Sequence, residues 1–502
     1  MTPTGGITAG TGICAMRRLF SLKAGVWFVI LFFTALRLFL APRFGLGVDE
    51  AHYTLYGIFP ALSYFDHPPL IGWVEALFIH FGGLSEMTSR APAILLFVLD
   101  SWLLYRLLQR IGASASEILL ALLAVNTSFL LFGLSLMFLP DCLLIPLALG
   151  IILTAIRLEQ TNSPKDYALL GILLGLAGLS KYTAILFIPP LFVYLILKKR
   201  LDILRTPRFL LAVLPALALI IPVIYWNAQH DFASFTYQFN HVIRHGKHLK
   251  VFFQSMGFQF LIYSPFYFGL AIYGLFKSFR ARNDYLLLSG LMGGSIFVFF
   301  VLTSMSAKTL PHWDAVFYFL AIPVGVIFAL RSPHRWLRNL SKFSVAFSVA
   351  AILLAAGLIV DPVLHFPPGK SPFRDISGFD ALVKHANTLL EKDNSAAKAL
   401  AVDRWTFGSR LLFYNLKDGY GSQVYVVQNR QDQFRYWQKH SFDQLRGSDL
   451  LFLVFSYEHK PLQASVSCGD YRDAGRSEVD VAGMPTYSVD YQWCNDFEGF
   501  KD

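Results

Sequence analysis

From Ala24 to Val360 the chain alternates long apolar runs with short polar breaks, and each run is about as long as a bilayer-crossing helix. Eleven spans are expected, over residues 24–41, 91–110, 116–136, 141–157, 166–180, 182–197, 209–226, 256–276, 285–303, 313–330 and 343–360. After the last run the pattern changes. Short apolar stretches in "ALAVDRW", "SQVYVVQ" and "DLLFLVF" read as strands, while "FDALVKHANTLLEK" and "FGSRLLFYNLK" read as helices. The mixture predicts a small external α/β domain over residues 361–502, joined through "HFPPGKSP" to a transmembrane domain over residues 1–360. The fold class expected is therefore mainly α.

Composition agrees. Of 502 residues 55% are hydrophobic, 47 are Phe and 15% are charged, which places the chain among polytopic membrane proteins. The net charge of +10 does not indicate a nucleic-acid partner. Its basic residues punctuate the apolar runs, as in "KKRLDILRTPR" and "RSPHRWLRNLSK", and form no stripe with interleaved aromatics. With the N-terminus cytoplasmic, inside loops hold 19 Lys and Arg, whereas outside loops before the tail hold seven. The positive-inside rule favours that orientation. Arg17, Arg18 and Lys23 precede the first run and no small-residue cleavage site follows it, so it reads as a retained helix. An odd number of spans places the tail outside, where Cys468 and Cys494 would either form a disulfide or remain two buried thiols.

The remaining ionisable residues fall on the outer side. The longest outside loop, about 42–90, contains "GVDEAHYTLYG" and "SYFDHPPLIGW", with Asp49, Glu50, His52, Asp66, His67 and Glu75. Asp141 follows in "LPD" and Lys181 in "GLSKYT". The fourth loop brings His230, Arg244, Lys247 and Lys250, and the fifth Lys308, His312 and Asp314. One such residue alone is ordinarily a solvated cap, so convergence is what would make a site. Arg37 and Asp100 lie within spans and are expected to pair structurally.

Carboxylates beside separate cations suit chemistry at a phosphate-linked centre. A carboxylate takes a proton from an attacking hydroxyl, and Lys, Arg or protonated His balances charge on a departing phosphate. The Asp66–His67 pair is also a candidate for holding a divalent metal. Pro68 and Pro69 restrict the backbone there and fix the direction of both side chains. Two outside segments, "DEAHYTLYGIFPALSYF" and "ASFTYQFNHVIRH", are expected to lie flat in the membrane interface.

The Asp-Glu after the first span, the "YFDHPPL" box, the "LPD" turn, "GLSKYT" and "WNAQHDFASF" occur in order over roughly residues 20–330. As a set they resemble bacterial membrane glycosyltransferases of family 39, relatives of the protein O-mannosyltransferases and of the lipid A aminoarabinose transferase. The resemblance implies a C-type glycosyltransferase fold in the bacterial inner membrane, with the site and the C-terminal domain periplasmic. It implies transfer of a sugar, with inversion, from an undecaprenyl- or dolichyl-phosphate donor to a hydroxyl of an envelope glycan, lipid or protein. Asp49 matches the family's catalytic acid, with Glu50 beside it. The aminoarabinose transferase has Glu-Lys-Pro-Pro where this chain has Asp66-His67-Pro68-Pro69. That makes Asp66 a metal or structural ligand, His67 a phosphate contact, and a divalent metal the candidate cofactor. His52 stands where that relative has arginine, while Lys181 and Asp141 keep its base and acid. Lys181, Arg244, Lys247 and Lys250 join His52 and His67 as donor-phosphate candidates, and His230, Lys308 and His312 complete the site candidates. A lipid-linked sugar transporter or a sugar-polymer ligase are the rival readings. A transporter would carry ionisable groups near the midplane and repeat its halves, whereas these charges gather on one face.

Overall fold

The computed structural model describes residues 9–242, 249–364, 366–367, 370–371, 373–393, 399–428, 431–438, 442–458, 461–481 and 484–501. The long first loop folds as two short helices, α2 (Val48–Ile58) and α3 (Leu70–Gly82), between α1 (Ala9–Leu40) and α4 (Glu86–Arg110). Next come α5 (Ala115–Thr127), α6 (Phe129–Leu134), α7 (Pro140–Thr161), α8 (Pro164–Ser180) and α9 (Ile188–Leu197). They lead to α10 (Leu210–Gln229) and a further short helix, α11 (Ala233–Val242). The remaining membrane helices are α12 (Leu249–Ile262), α13 (Pro265–Arg280), α14 (Asp284–Ser304), α15 (Ala315–Leu330) and α16 (Arg335–Val360).

Helices overlap every expected span, but not all are full-length. Among the described residues six helices are long and apolar enough to cross a membrane, or seven if the pair α12–α13, bent by 103°, is one span. Apolar runs do not reveal where a helix breaks, so helix length alone does not confirm the count of eleven. Pro265 at the first turn of α13 marks the sharp bend, and α15, only 16 residues long, is buried along almost its whole length. Its apolar residues build the protein core, where a short helix needs no lipid contact.

The C-terminal part contains α17 (Phe379–Lys392), β1 (Ala399–Val402), α18 (Trp405–Lys417), β2 (Gln423–Val426) and α19 (Phe434–Trp437). They are followed by β3 (Leu450–Phe455), β4 (Val466–Val481) and β5 (Met484–Phe500). The sheet order is β2-β1-β3-β5-β4. Strand β1 runs parallel to β2 and β3, and β5 is antiparallel to β3 and β4. A disulfide joins Cys468 to Cys494 across the β4–β5 hairpin.

This domain sits on the first loop. The Leu46 amide donates to the Tyr414 hydroxyl at 3.2 Å, the Phe65 amide to Gln433 Oε1 at 2.7 Å, and Lys417 Nζ to Glu86 at 2.7 Å. Helix α2 therefore does not lie in the membrane interface as its aromatic–polar mixture suggested. It is covered by α18, and every residue from Glu50 to Gly57 is buried.

Candidate active site

Glu50 anchors the first turn of α2. It accepts hydrogen bonds from Arg90 Nε at 2.7 Å and Nη2 at 2.9 Å, and from the Gly47 amide at 3.0 Å. Arg90 spends its other donors on the carbonyls of Phe44 and Gly45, both at 2.8 Å, and of Ala41. Glu50 and Arg90 are both fully buried. Glu50 was expected beside Asp49 in catalysis, but the bidentate pair and the helix cap occupy both its oxygens, so its place is structural. Successive helix residues point roughly 100° apart. Fixing Glu50 on the interior therefore turns Asp49 another way, half-buried and without a hydrogen bond or ion pair among the described residues.

Charged groups from four other segments surround that carboxylate. Burial raises the Asp49 pKa above the ordinary carboxylate range, His312 and His67 pull it back, and Asp66 and Asp141 raise it. The "FDHPP" backbone is held from outside itself. Ser234 Oγ donates to the Tyr64 carbonyl at 2.8 Å and Gln238 Nε2 to the Asp66 carbonyl at 2.7 Å. Asp66 accepts from the Tyr56 hydroxyl and faces His67 Nδ1 at 3.1 Å. Burial alone would raise its pKa, but His67, His52 and Tyr56 outweigh it and hold the carboxyl well below the usual range. Asp141, at the first turn of α7, takes both of its hydrogen bonds from Lys181 Nζ, at 2.7 and 2.8 Å. The ammonium group also lies 5.9 Å from the Trp313 ring. Burial lowers the pKa of His312, with Asp141 and Asp49 acting against it.

Asp49, Asp66, His67, Asp141, Lys181 and His312 thus gather at one end of the helices. Other expected residues do not join them. His52 is buried among Tyr56, Trp405 and Trp437 with Nδ1 3.0 Å from Ser409 Oγ. Burial drives its pKa down to about 4, and its ring is taken up in aromatic packing and the Ser409 contact. His230 stacks on Trp226 at 4.0 Å with Nδ1 2.7 Å from that residue's carbonyl oxygen, which makes it part of an aromatic wall. Lys250 and Lys308 are exposed, and Arg244 and Lys247 lie outside the described residues. Among the described residues Arg37 and Asp100 form no direct ion pair, although each feels the other's charge. Arg37 donates to Ser135 and, at 3.0 Å, to Asn126.

The donors do not fit a metal centre. Asp66 and His67 engage each other, and among the described residues no group of three or more His, Cys, Asp or Glu converges. Sequence reasoning singled out none of Arg90, Tyr56, Ser409 and Gln433. Nothing local marks the last two, which lie 357 and 368 residues from the groups they meet. An apolar cavity of about 550 Å³ opens beside the cluster between α8, α9 and α10. Its lining includes Gly178, Tyr182, Ile185, Leu217 and Phe235, so it comes up against Lys181 in sequence.

Residues 66–226 match the dolichyl-phosphate-mannose-protein mannosyltransferase family. The chain is 23% identical over 395 residues to the lipid A galacturonosyltransferase RgtD of Rhizobium johnstonii, covering 74% of this chain and 78% of that one. Its fold is similar to that of ArnT from Cupriavidus metallidurans bound to undecaprenyl phosphate, with a TM-score of 0.63, 16% identity, and coverage of 93% and 97%. Apo ArnT matches with a TM-score of 0.58, again at 16% identity, over 96% and 98% of the two chains. The chain is thus a multi-pass membrane protein of the C-type glycosyltransferase fold, related in motifs and architecture to the membrane glycosyltransferases of family 39.

Proposed function

We propose that this protein transfers a sugar from a polyprenyl-phosphate donor to a hydroxyl of a lipid A-type envelope glycolipid, with Asp49 as the general base. The observation that carries this reading is the setting of Asp49: a half-buried carboxylate with raised proton affinity and no hydrogen-bond partner among the described residues, ringed by His67, His312 and the Asp141–Lys181 pair. A base poised nearer neutrality is an efficient proton acceptor. The acceptor hydroxyl gives its proton to Asp49 as its oxygen bonds to the anomeric carbon. The bond from that carbon to the phosphate oxygen breaks, and the electron pair leaves with polyprenyl phosphate, giving inversion. Lys181 and His67 meet the negative charge of the leaving phosphate. The apolar cavity beside Tyr182 suits the prenyl chain. ArnT bound to undecaprenyl phosphate supports the donor class, and the galacturonosyltransferase supports the acceptor class. In this reading the site and the C-terminal domain face the periplasm of a bacterial inner membrane.

The test uses purified protein with radiolabelled polyprenyl-phosphate sugars and lipid A, following both labelled product and released lipid phosphate. Asp49→Asn is expected to abolish transfer while expression and membrane insertion stay normal, and retained transfer removes Asp49 from the role. A transporter would move the donor across vesicles without releasing lipid phosphate, and a ligase would require a preassembled polymer donor.

A further inference from the structure

A second groove lies on the other side of α8 from the prenyl-type cavity. It has a volume of about 590 Å³ and runs between α4, α7 and α8. Its walls are apolar, with Leu99, Leu147, Leu153 and Leu173 along the length and Trp102 near one end. Arg106 and Arg110 line the same end. Helix α4 starts at Glu86, held by Lys417 of the C-terminal domain, and ends at Arg110. The arginines are therefore at the membrane face opposite the candidate site. Trp102, Arg106 and Arg110 are spaced four residues apart, so they share one face of α4. The Arg106 guanidinium lies 5.5 Å from the Trp102 ring, and neither arginine has a carboxylate partner among the described residues. By contrast, Arg157 at the same end is already paired with Asp166, with Nε–Oδ1 at 2.6 Å. Gln160 and Tyr285 add polar side chains to the rim there.

An oily trench ending in two uncompensated guanidinium groups, with an indole beside them, matches a molecule with an anionic head and acyl tails. We propose that this groove binds an anionic phospholipid, its phosphate on Arg106 and Arg110 and an acyl chain along Leu99, Leu147 and Leu153. A zwitterionic lipid offers no net charge to the arginines, and a free phosphate offers nothing to the apolar walls. The arginine end lies at the membrane face opposite the candidate site, while the other end of the groove reaches Leu70, just after the "DHPP" box. Phosphate binding at the arginines does not depend on the proposed activity.

The experiment follows thermal unfolding and native mass spectra of the full chain in detergent with dioleoylphosphatidylglycerol, dioleoylphosphatidylcholine or inorganic phosphate. Phosphatidylglycerol is expected to raise the unfolding midpoint and to stay bound in the mass spectrum, whereas the other two do neither. The double variant Arg106→Gln, Arg110→Gln should bind it roughly 30-fold more weakly, since each cation near an anionic lipid contributes on the order of a factor of five. Leu153→Trp, which fills the groove and keeps both charges, should also lose the bound lipid. Neutralising Arg335 and Lys342, exposed on α16 away from the groove, should leave binding unchanged. Equal effects of the two phospholipids, a shift produced by phosphate alone, or equal losses in both double variants would each overturn the site.

Discussion

Arg90 shows how one buried side chain assigns roles to two neighbouring acids. Its guanidinium holds Glu50 through two hydrogen bonds and three carbonyls of the α1–α2 connection through the others, so in the proposed mechanism Asp49 is the acid left to act. Removing Arg90 strands a buried carboxylate, a loss on the order of 3–5 kcal/mol. Arg90→Ala is therefore expected to lower the unfolding midpoint sharply. Arg90→Lys should recover only part, because an ammonium cannot reproduce the planar fork. An unchanged midpoint in either variant would contradict the strut role.

Asp49 itself gives a prediction in pH. Burial raises its pKa, so transfer should fall as pH drops through a value above the ordinary carboxylate range, with the base becoming protonated. His67 works against that rise. His67→Gln should consequently move the acid limb of the pH–rate profile to higher pH, whatever happens to the maximal rate. A limb that stays put or moves down would separate His67 from Asp49.

At the scale of elements, α2 carries Asp49 and packs backbone to backbone against α3 at Gly57. A Cβ there would fall 2.5 Å from Glu75 Cβ and 2.7 Å from the Ala76 nitrogen. Gly57→Ala should force the helices apart and cost about 1–3 kcal/mol, as overpacking does. Gly133 in α6 meets nothing within 4 Å, so Gly133→Ala should be neutral or mildly stabilising. Comparing the two unfolding midpoints distinguishes a packing effect from a general intolerance of side chains.

Elements with strong apolar periodicity were legible in the sequence. The expected strands and helices of the tail reappear as β1, β2, β3, α17 and α18. The hairpin β4–β5 was not, because "VSCGDYRDAGRSEVDV" lies at a sheet edge with most of its residues in contact with solvent and carries no apolar rhythm. Span lengths were blurred for a related reason. Hydropathy registers an apolar run, but not the break at Ser128 or the bend before Pro265. Within the site, Asp49, Asp66, Asp141 and Lys181 could be picked out as ionisable residues in an oily chain. Arg90, which holds the neighbouring Glu50, and Tyr56, which donates to Asp66, are recognisable only from the fold.

The whole molecule places a soluble-type domain as a roof over residues 46–67, far from it in sequence. Ser409 meets His52, Gln433 takes the Phe65 amide, and the Tyr436 ring stacks 6.2 Å from Phe65 while touching the Trp226–His230 wall. None of these groups belongs to the ring of charges around Asp49, yet together they fix the stretch that leads into Asp66 and His67. If the roof orders that stretch, Gln433→Ala leaves the buried Phe65 amide without its acceptor, a penalty of about 1–3 kcal/mol that falls on one loop. Transfer should drop about tenfold or more, because a base and a phosphate contact held in the wrong place lose much of their effect. The global unfolding midpoint and the Cys468–Cys494 disulfide, carried by the distant β4–β5 hairpin, should change little. Gln433→Glu keeps a side-chain Oε1 to accept the Phe65 amide and should restore most of the rate. Full transfer by Gln433→Ala would mean that the "FDHPP" segment holds its shape through the prolines alone, and that the domain above it serves another purpose.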